Sequence, residues 1–148
     1  MKDILFFEIN EPLPEYVTSI NRLIRQLSTN AKELSVDDLA IIVNDCNSHL
    51  YLLSVDGTIA GMCTLAVYNA PTGRKAWIED VVVDSEYRGN RLGRLLVDKT
   101  IGECRRFAPC TLMLTSRPAR VAANCMYKSA GFNNKTTNVY TMKITQPE

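Results

Sequence analysis

The chain has 148 residues, of which 22% are charged and 46% hydrophobic, and its formal net charge is +1 at pH 7. This length and composition suit one globular domain, residues 1–148, with its own core. The near-neutral charge lacks the basic surplus of a nucleic-acid-binding chain, so we expect no nucleic-acid partner. The apolar runs are too short for a membrane span, and the N-terminal run is too short for a signal peptide, so we expect a cytoplasmic protein without a membrane partner.

The cysteines and histidine are few and scattered. The single histidine is His49, and the five cysteines are Cys46, Cys63, Cys104, Cys110 and Cys125. Their odd number and the lack of a C-x-x-C pair argue against a disulfide framework and against a metal site. We expect most of these cysteines to be small buried apolar side chains.

The first half of the chain predicts a strand, two helices and a β-hairpin. Residues 4–9 read as a strand, and apolar residues at helical spacing over 17–27 predict an amphipathic helix. The stretch Ser35 to Asp38 has the pattern of a capping box and opens a second helix. Over residues 50–68 two apolar runs flank Asp-Gly, which supplies the positive φ angles of a tight hairpin turn.

The second half alternates strands and helices. In chain order it predicts a strand over 76–83, a helix over 92–107, a strand over 111–115, a helix over 121–130 and a last strand over 139–144. The strand over 76–83 is apolar on both faces apart from Glu79 and Asp80, which indicates an interior strand. Together the elements predict one α/β domain with a mixed sheet.

A glycine- and arginine-rich segment joins this interior strand to the next helix. It contains Arg88, Gly89, Arg91, Gly93 and Arg94. A helix N-terminus exposes unpaired N–H groups with a partial positive charge, and glycine lets an anion approach them closely. A diphosphate fits such a loop. The other interpretation is that the glycines only serve turn and packing geometry, with solvated arginines.

The segment Arg88-Gly89-Asn90-Arg91-Leu92-Gly93 resembles motif A of the GCN5-related N-acetyltransferases (GNAT superfamily), Q/R-x-x-G-x-G/A. Arg91 stands at the middle glycine of that motif, which we expect the loop to tolerate only with a helical φ at position 91. A second segment resembles the family signature N-x-x-Y/F-Y/F-x-x-x-G-F through Asn124, Tyr127, Gly131 and Phe132. The resemblance covers about residues 50–144. The first segment and its strand are also similar to glucosamine-6-phosphate N-acetyltransferases, over too short a stretch to assign a substrate.

The resemblance implies a GNAT fold, with a mixed central sheet of six to seven strands flanked by about four helices. It also implies acetyl-CoA as cosubstrate, without a metal, in a gap where the fourth and fifth strands separate. The implied cofactor contacts are the main chain of Val81, Val82 and Val83 for pantetheine, the side chains of Asn124 and Tyr127, and, for the pyrophosphate, Arg88, Gly89, Asn90, Arg91, Leu92, Gly93 and Arg94.

Two residues are candidates for acid–base work. Glu79 would be the base, because a carboxylate in an apolar strand has a raised pKa; alternation places it on one face with Trp77, Val81 and Val83. It could instead bind the substrate's amine or pair with an arginine. Tyr127 matches the family's tyrosine near the CoA sulfur and would be the general acid, unless it is only a packed aromatic residue.

The resemblance therefore implies an acyltransferase that moves the acetyl group of acetyl-CoA to a primary amine of a small molecule or peptide, by direct attack in a ternary complex. The alternative is a non-catalytic acyl-CoA-binding regulatory module on the same fold. An enzyme acting on aminoacyl-tRNA is disfavoured by the near-neutral charge, and a different acyl acceptor stays open. The apolar last strand could pair with a second copy, which predicts a homodimer.

Overall fold

The computed structural model describes residues 1–148 and contains one mixed sheet of five strands. The elements are β1 Ile4–Glu8, α1 Pro14–Leu27, α2 Val36–Asn44, β2 Ser48–Val55, β3 Thr58–Ala70, β4 Gly73–Val83, α3 Leu92–Cys104, β5 Thr111–Met113 and α4 Val121–Ser129, with short 3-10 turns at Ser85–Tyr87 and Arg105–Phe107. The strands lie in the order β1-β2-β3-β4-β5. All neighbours are antiparallel except β4 and β5, which are parallel.

The chain forms two compact units, Met1–Ser116 and Arg117–Glu148. The first contains the whole sheet with α1, α2 and α3, and the second contains α4. No helix of the chain is both long enough and apolar enough to cross a membrane.

Helices α1 and α2 cover one face of the sheet. Their buried Leu23 and Leu39 pack in one apolar cluster with Leu52, Met62 and Val82 of the sheet. The capping box predicted for α2 is present. The N–H of its third residue donates to the Ser35 hydroxyl at 3.0 Å, and the N–H of Ser35 donates to the carboxylate of that same residue, Asp38, at 2.9 Å.

Helix α3 packs on the opposite face. Its buried residues are Leu92, Leu96, Val97, Thr100 and Cys104. The Thr100 hydroxyl donates to the Leu96 carbonyl at 2.8 Å and lies 3.0 Å from the sulfur of Cys63 in β3. The hydroxyl and the thiol thus form a hydrogen bond inside an otherwise apolar interface. This interface holds α3 against the centre of the sheet.

A β-bulge interrupts the pairing of β3 and β4. The paired residues on either side of it are Glu79 with Thr64, Val82 with Met62 and Val83 with Gly61. Asp80, with a φ of 53°, is the extra residue. Because one extra residue reverses the alternation of side chains, Glu79 shares its face with Trp77 and Val82, while Val81 and Val83 lie on the other face. The prediction that Glu79 shares a face with Val81 and Val83 is therefore wrong.

The predicted last strand over 139–144 is also wrong. No helix or strand follows α4, so the sheet has five strands rather than six to seven. The apolar side chains of this segment are 65–88% exposed; they are Val139, Tyr140, Met142 and Ile144. An alternating apolar pattern favours a strand only where a neighbouring strand supplies hydrogen bonds, and none does so here. The homodimer prediction depended on this last strand pairing with a second copy, and the strand is absent.

Candidate active site

Strands β4 and β5 are paired over only a short stretch. Their pairs are Lys75 with Thr111, Ala76 with Leu112 and Trp77 with Met113. Beyond Trp77, β4 continues to Val83 with β3 on one side and no β5 partner on the other. The β4–β5 pairing thus ends at Trp77 and Met113, and the expected gap between the fourth and fifth strands stays a prediction. An extended ligand entering this gap would meet a strand edge whose main-chain groups can pair with it.

The three valines expected to bind pantetheine line this open stretch. Val82 is 6% exposed and belongs to the apolar cluster under α1 and α2. Val81 and Val83 are half-buried. Their side chains thus hold β4 in the sheet from both faces, which leaves its main-chain edge as the part that can contact a ligand.

The loop after β4 contains two residues in the left-handed region of φ. Gly89 has a φ of +80° and Arg91 a φ of +58°. A Cβ added at Gly89 would meet nothing within 4 Å, so its φ, rather than space, is what favours glycine. Leu95 makes the first N–H bond of α3, to the Arg91 carbonyl at 3.1 Å. The N–H groups of Leu92 and Gly93 therefore precede the helical ladder and have no carbonyl one turn behind them within α3.

Arg91 does not have the helical φ expected from the sequence. It is the N-cap of α3 in the left-handed conformation, with φ 58° and ψ 18°. Glycine adopts this conformation without strain, whereas a residue with a Cβ is destabilised there by about 1–2 kcal/mol. The arginine thus reproduces the backbone that a glycine would take, at some cost in stability.

Other side chains of the loop stabilise it internally. The Arg88 guanidinium donates to the Val83 carbonyl at 3.3 Å, and the Asn90 amide donates to the Tyr87 carbonyl at 3.0 Å. Arg94 donates to both carboxylate oxygens of Asp98 at 2.9 Å, one turn further along α3. The pyrophosphate contacts expected of these three side chains stay predictions, since each already has a protein partner.

Helix α1 anchors the start of this loop. The Arg22 guanidinium donates to the Asp84 carboxylate at 3.0 Å and also to the carbonyl of Ile59. The N–H of Ser85 donates to the side chain of Gln26 at 2.8 Å. Sequence analysis missed this clamp. Arg22 and Asp84 are 62 residues apart, so nothing local in the sequence pairs them.

Asp84 is the most buried carboxylate of this region, at 4% exposure. Burial alone would raise the pKa of Asp84, but the hydrogen bond from the Glu86 N–H, the side chain of Gln26 and the charge of Arg22 outweigh it and lower the pKa. The carboxylate therefore stays ionised, which keeps the clamp intact at neutral pH.

Glu79 is an exposed carboxylate two residues past the last β4–β5 pair. It lies on the α1–α2 face, beside the bulge. Partial burial, together with the neighbouring charge of Asp80, raises the pKa of Glu79, as the sequence predicted. On the same face the Trp77 indole N–H donates to the Tyr68 hydroxyl at 3.3 Å, and Tyr68 is 46% exposed. Sequence analysis missed Tyr68, which meets Trp77 only because β3 and β4 are paired.

Asn124 and Tyr127 lie on α4, in the unit Arg117–Glu148. The Asn124 amide donates to the Arg117 carbonyl at 3.0 Å and so stabilises the turn that leads into α4. The Tyr127 ring lies edge-on to Phe132, with the centroids 6.1 Å apart. The cofactor contact of Asn124 and the acid role of Tyr127 stay predictions.

Comparison with known proteins identifies the family. A family described as "Acetyltransferase (GNAT) family" matches residues 16–132. The chain belongs to this family. Among curated proteins, this GNAT chain is 36% identical over 62 residues to the ribosomal protein bS18-alanine N-acetyltransferase of Escherichia coli strain K12, a match that covers 42% of each chain. The GNAT chain thus spans about two fifths of the curated relatives that it matches.

Solved structures share the fold along almost the whole GNAT chain. A putative acetyltransferase from Agrobacterium tumefaciens superposes with a TM-score of 0.81 at 22% identity, covering 94% of this chain and 99% of the other. Glucosamine-6-phosphate N-acetyltransferase from Arabidopsis thaliana superposes with a TM-score of 0.79 at 19% identity, covering 95% and 98%. The predicted α/β GNAT fold is confirmed, apart from the strand count.

The Arg22–Asp84 clamp predicts a stability loss for Asp84→Asn. Removing the charge that Arg22 and the Glu86 N–H bind should lower the free energy of unfolding by about 1.5–3 kcal/mol in urea titrations. Arg25→Ala is the matched control on the same helix. The side chains of Arg25 and of its ion-pair partner Glu33 are 59% and 70% exposed. Arg25→Ala should therefore lower the free energy of unfolding by less than about 0.5 kcal/mol.

The clamp also predicts how the stability difference between the original chain and Asp84→Asn depends on pH. Folding lowers the pKa of Asp84, so the stabilisation by its ionised carboxylate is complete above the pKa of the unfolded chain, about 3.9. This stabilisation is lost as the pH falls through the lower pKa of the folded chain. The difference in stability between the original chain and Asp84→Asn should therefore shrink below about pH 4. A difference that stays constant down to pH 2 would contradict the clamp.

The left-handed conformation of Arg91 predicts that Arg91→Gly stabilises the chain. Relief of about 1–2 kcal/mol of strain offsets the roughly 0.5–1 kcal/mol of added backbone entropy in the unfolded state, for a net gain of up to about 1.5 kcal/mol. Arg91→Ala removes the charge but keeps the Cβ, and should give no gain. Equal gains for both variants in thermal unfolding would mean that charge, not backbone conformation, is the cause.

Proposed function

We propose that this chain transfers the acetyl group of acetyl-CoA to a primary amine of a small molecule or peptide, by direct attack within a ternary complex. One observation carries the proposal. Strand β4 loses its β5 partner after Trp77 and runs, with no neighbouring strand on that side, into a loop whose φ angles at Gly89 and Arg91 are both positive. A strand edge followed by an anion-binding helix N-terminus suits a ligand with an amide-bearing arm and a diphosphate.

In this proposal the pantetheine arm pairs with the main chain of Val81, Val82 and Val83. The diphosphate rests on the N–H groups around Gly89 to Gly93, with Arg88 and Arg94 nearby. The Arg22–Asp84 clamp supports the arrangement, because it fixes the residue that joins β4 to the loop. No metal ion is involved.

The chemistry proposed for the acceptor begins at Glu79. Its carboxylate takes a proton from the incoming ammonium, directly or through a water, and the neutral amine attacks the thioester carbonyl. A main-chain N–H of β4 stabilises the tetrahedral oxyanion. Collapse of this intermediate breaks the C–S bond, the nitrogen loses its second proton to water, and the CoA thiolate takes a proton from the hydroxyl of Tyr127, which solvent then restores. The raised pKa of Glu79 supports its role as base.

The acceptor is defined only as an amine. The name of the E. coli relative assigns it an alanine of ribosomal protein bS18, but the similar region covers 42% of that protein, so its acceptor does not transfer to this chain. The proposal includes a cytoplasmic location, as composition suggests. The homodimer stays a prediction that the five-stranded sheet does not support.

Calorimetric titration of acetyl-CoA into the purified chain tests the cofactor site. We expect saturable binding, and a large loss of affinity in Gly89→Val, because a β-branched residue resists a φ of +80°. Ala119→Val is the control outside the loop and should bind normally. Binding by the original chain but no thiol release with any amine would favour the non-catalytic acyl-CoA-binding module. No binding at all would contradict the proposal.

Glu79→Gln tests the base. It should lower kcat by about 10²–10⁴-fold while leaving acetyl-CoA affinity unchanged. In the original chain kcat/KM should fall as the pH drops through the raised pKa of Glu79. This acidic limb of the pH–rate profile should disappear in Glu79→Gln.

Asp80→Asn sharpens the test. Asparagine tolerates the left-handed φ at this position, so the bulge should persist. Losing the neighbouring charge should lower the pKa of Glu79 and move the limb to lower pH without changing the plateau. A limb that stays in place in both variants would exclude Glu79 as the base.

A further inference from the structure

Two cysteine sulfurs meet at the far end of α3. The Sγ atoms of Cys104 and Cys110 lie 3.6 Å apart. Cys104 is the last residue of α3 and is 4% exposed, whereas Cys110 directly precedes β5 and is half-buried. The other three cysteines are not part of this contact. Cys63 is paired with a threonine hydroxyl, and Cys46 and Cys125 are exposed.

The separation is short enough for a covalent bond after small side-chain movements. A disulfide requires an S–S distance of about 2.05 Å, so the two sulfurs must approach by roughly 1.5 Å. The connecting stretch is the 3-10 turn Arg105–Phe107 and two further residues. Rotation about the Cα–Cβ bond of Cys110 moves its sulfur without displacing the buried Cys104.

We propose that Cys104 and Cys110 form a dithiol site that closes to an intramolecular disulfide on reaction with a small disulfide such as glutathione disulfide. The more exposed thiol, Cys110, loses its proton and attacks the glutathione disulfide, releasing one glutathione thiolate and forming a mixed disulfide. Cys104 then loses its proton and attacks the Cys110 sulfur, which expels the second glutathione. Two protein thiols are oxidised, and one glutathione disulfide is reduced to two glutathione thiols.

The order of events follows from burial. Burial raises the pKa of Cys104, aided by its contact with Cys110, so little of it is thiolate at neutral pH. It is therefore the resolving thiol. The pairing matters because only an adjacent sulfur can reach a buried thiol that an external oxidant cannot approach.

The bond would connect two elements that border the gap beside β4. Helix α3 carries the phosphate-binding loop at its other end, and β5 begins its pairing with β4 at Thr111, next to Cys110. Oxidation should therefore stabilise the fold. The short closed loop should raise the melting temperature by about 3–8 °C.

The test uses the full chain with Cys46→Ser and Cys125→Ser, which removes the exposed thiols. It is incubated with glutathione disulfide, alkylated under denaturing conditions and weighed by mass spectrometry. We expect loss of two hydrogens (~2 Da), no alkylation of Cys104 or Cys110, and reversal by dithiothreitol, together with the higher melting temperature. A lasting glutathione adduct on Cys110, or two free thiols at every ratio of oxidised to reduced glutathione, would overturn the proposal.

Single variants in the same background assign the roles. Cys104→Ser should trap a stable glutathione adduct on Cys110, because the resolving thiol is gone. Cys110→Ser should leave Cys104 reduced, since the oxidant does not reach a buried thiol. Rapid glutathionylation of Cys104 in the second variant would show that the two thiols react independently, and would contradict a coupled site.

Discussion

The extra residue at Asp80 is the constraint on which the architecture of the site depends. Upstream of it, β4 pairs with β3 and, as far as Trp77, also with β5, and Glu79 lies on the α1–α2 face. Downstream, reversed alternation sends Val82 into the core under α1 and gives Val81 and Val83 to the other face. The same strand can thus present a carboxylate just before the bulge and remain anchored by apolar side chains on both faces after it. Without the bulge Val81 and Val83 would share the face of Glu79, and Val82 would point away from the cluster under α1 and α2.

The exit from β4 is held by polar contacts instead of apolar packing. A buried carboxylate is tolerable only when its hydrogen bonds are satisfied, and Asp84 has both an arginine and a backbone N–H as donors. These partners come from α1 and from the following turn. They link the helix that covers the sheet to the loop that leads into α3. The position of the start of the loop therefore depends on tertiary contacts and not on its glycines alone.

Local signals made much of the fold readable from the sequence. The capping box at Ser35 and the turn at Asp56–Gly57, with φ angles of 49° and 83°, depend on neighbouring residues only. The motif from Arg88 to Gly93 predicted the loop before α3 for the same reason, because its signal also lies in neighbouring residues. What escaped prediction depends on distant contacts: the Arg22–Asp84 pair, the register shift at Asp80, and the missing strand over 139–144. An apolar pattern shows which side chains of a segment could be buried. It does not show whether another strand will lie beside the segment and pair with it.

The open edge of β4 has a thermodynamic consequence. A ligand that pairs with this edge recognises only the folded chain, because the unfolded chain has no such edge to offer. Its binding free energy therefore adds to the free energy of unfolding, by about 2.7 kcal/mol at a concentration one hundred times its Kd. For a chain of this size that is a large share of the total stability. Under the proposed function, the concentration of acetyl-CoA would therefore set the stability of the chain as well as its turnover.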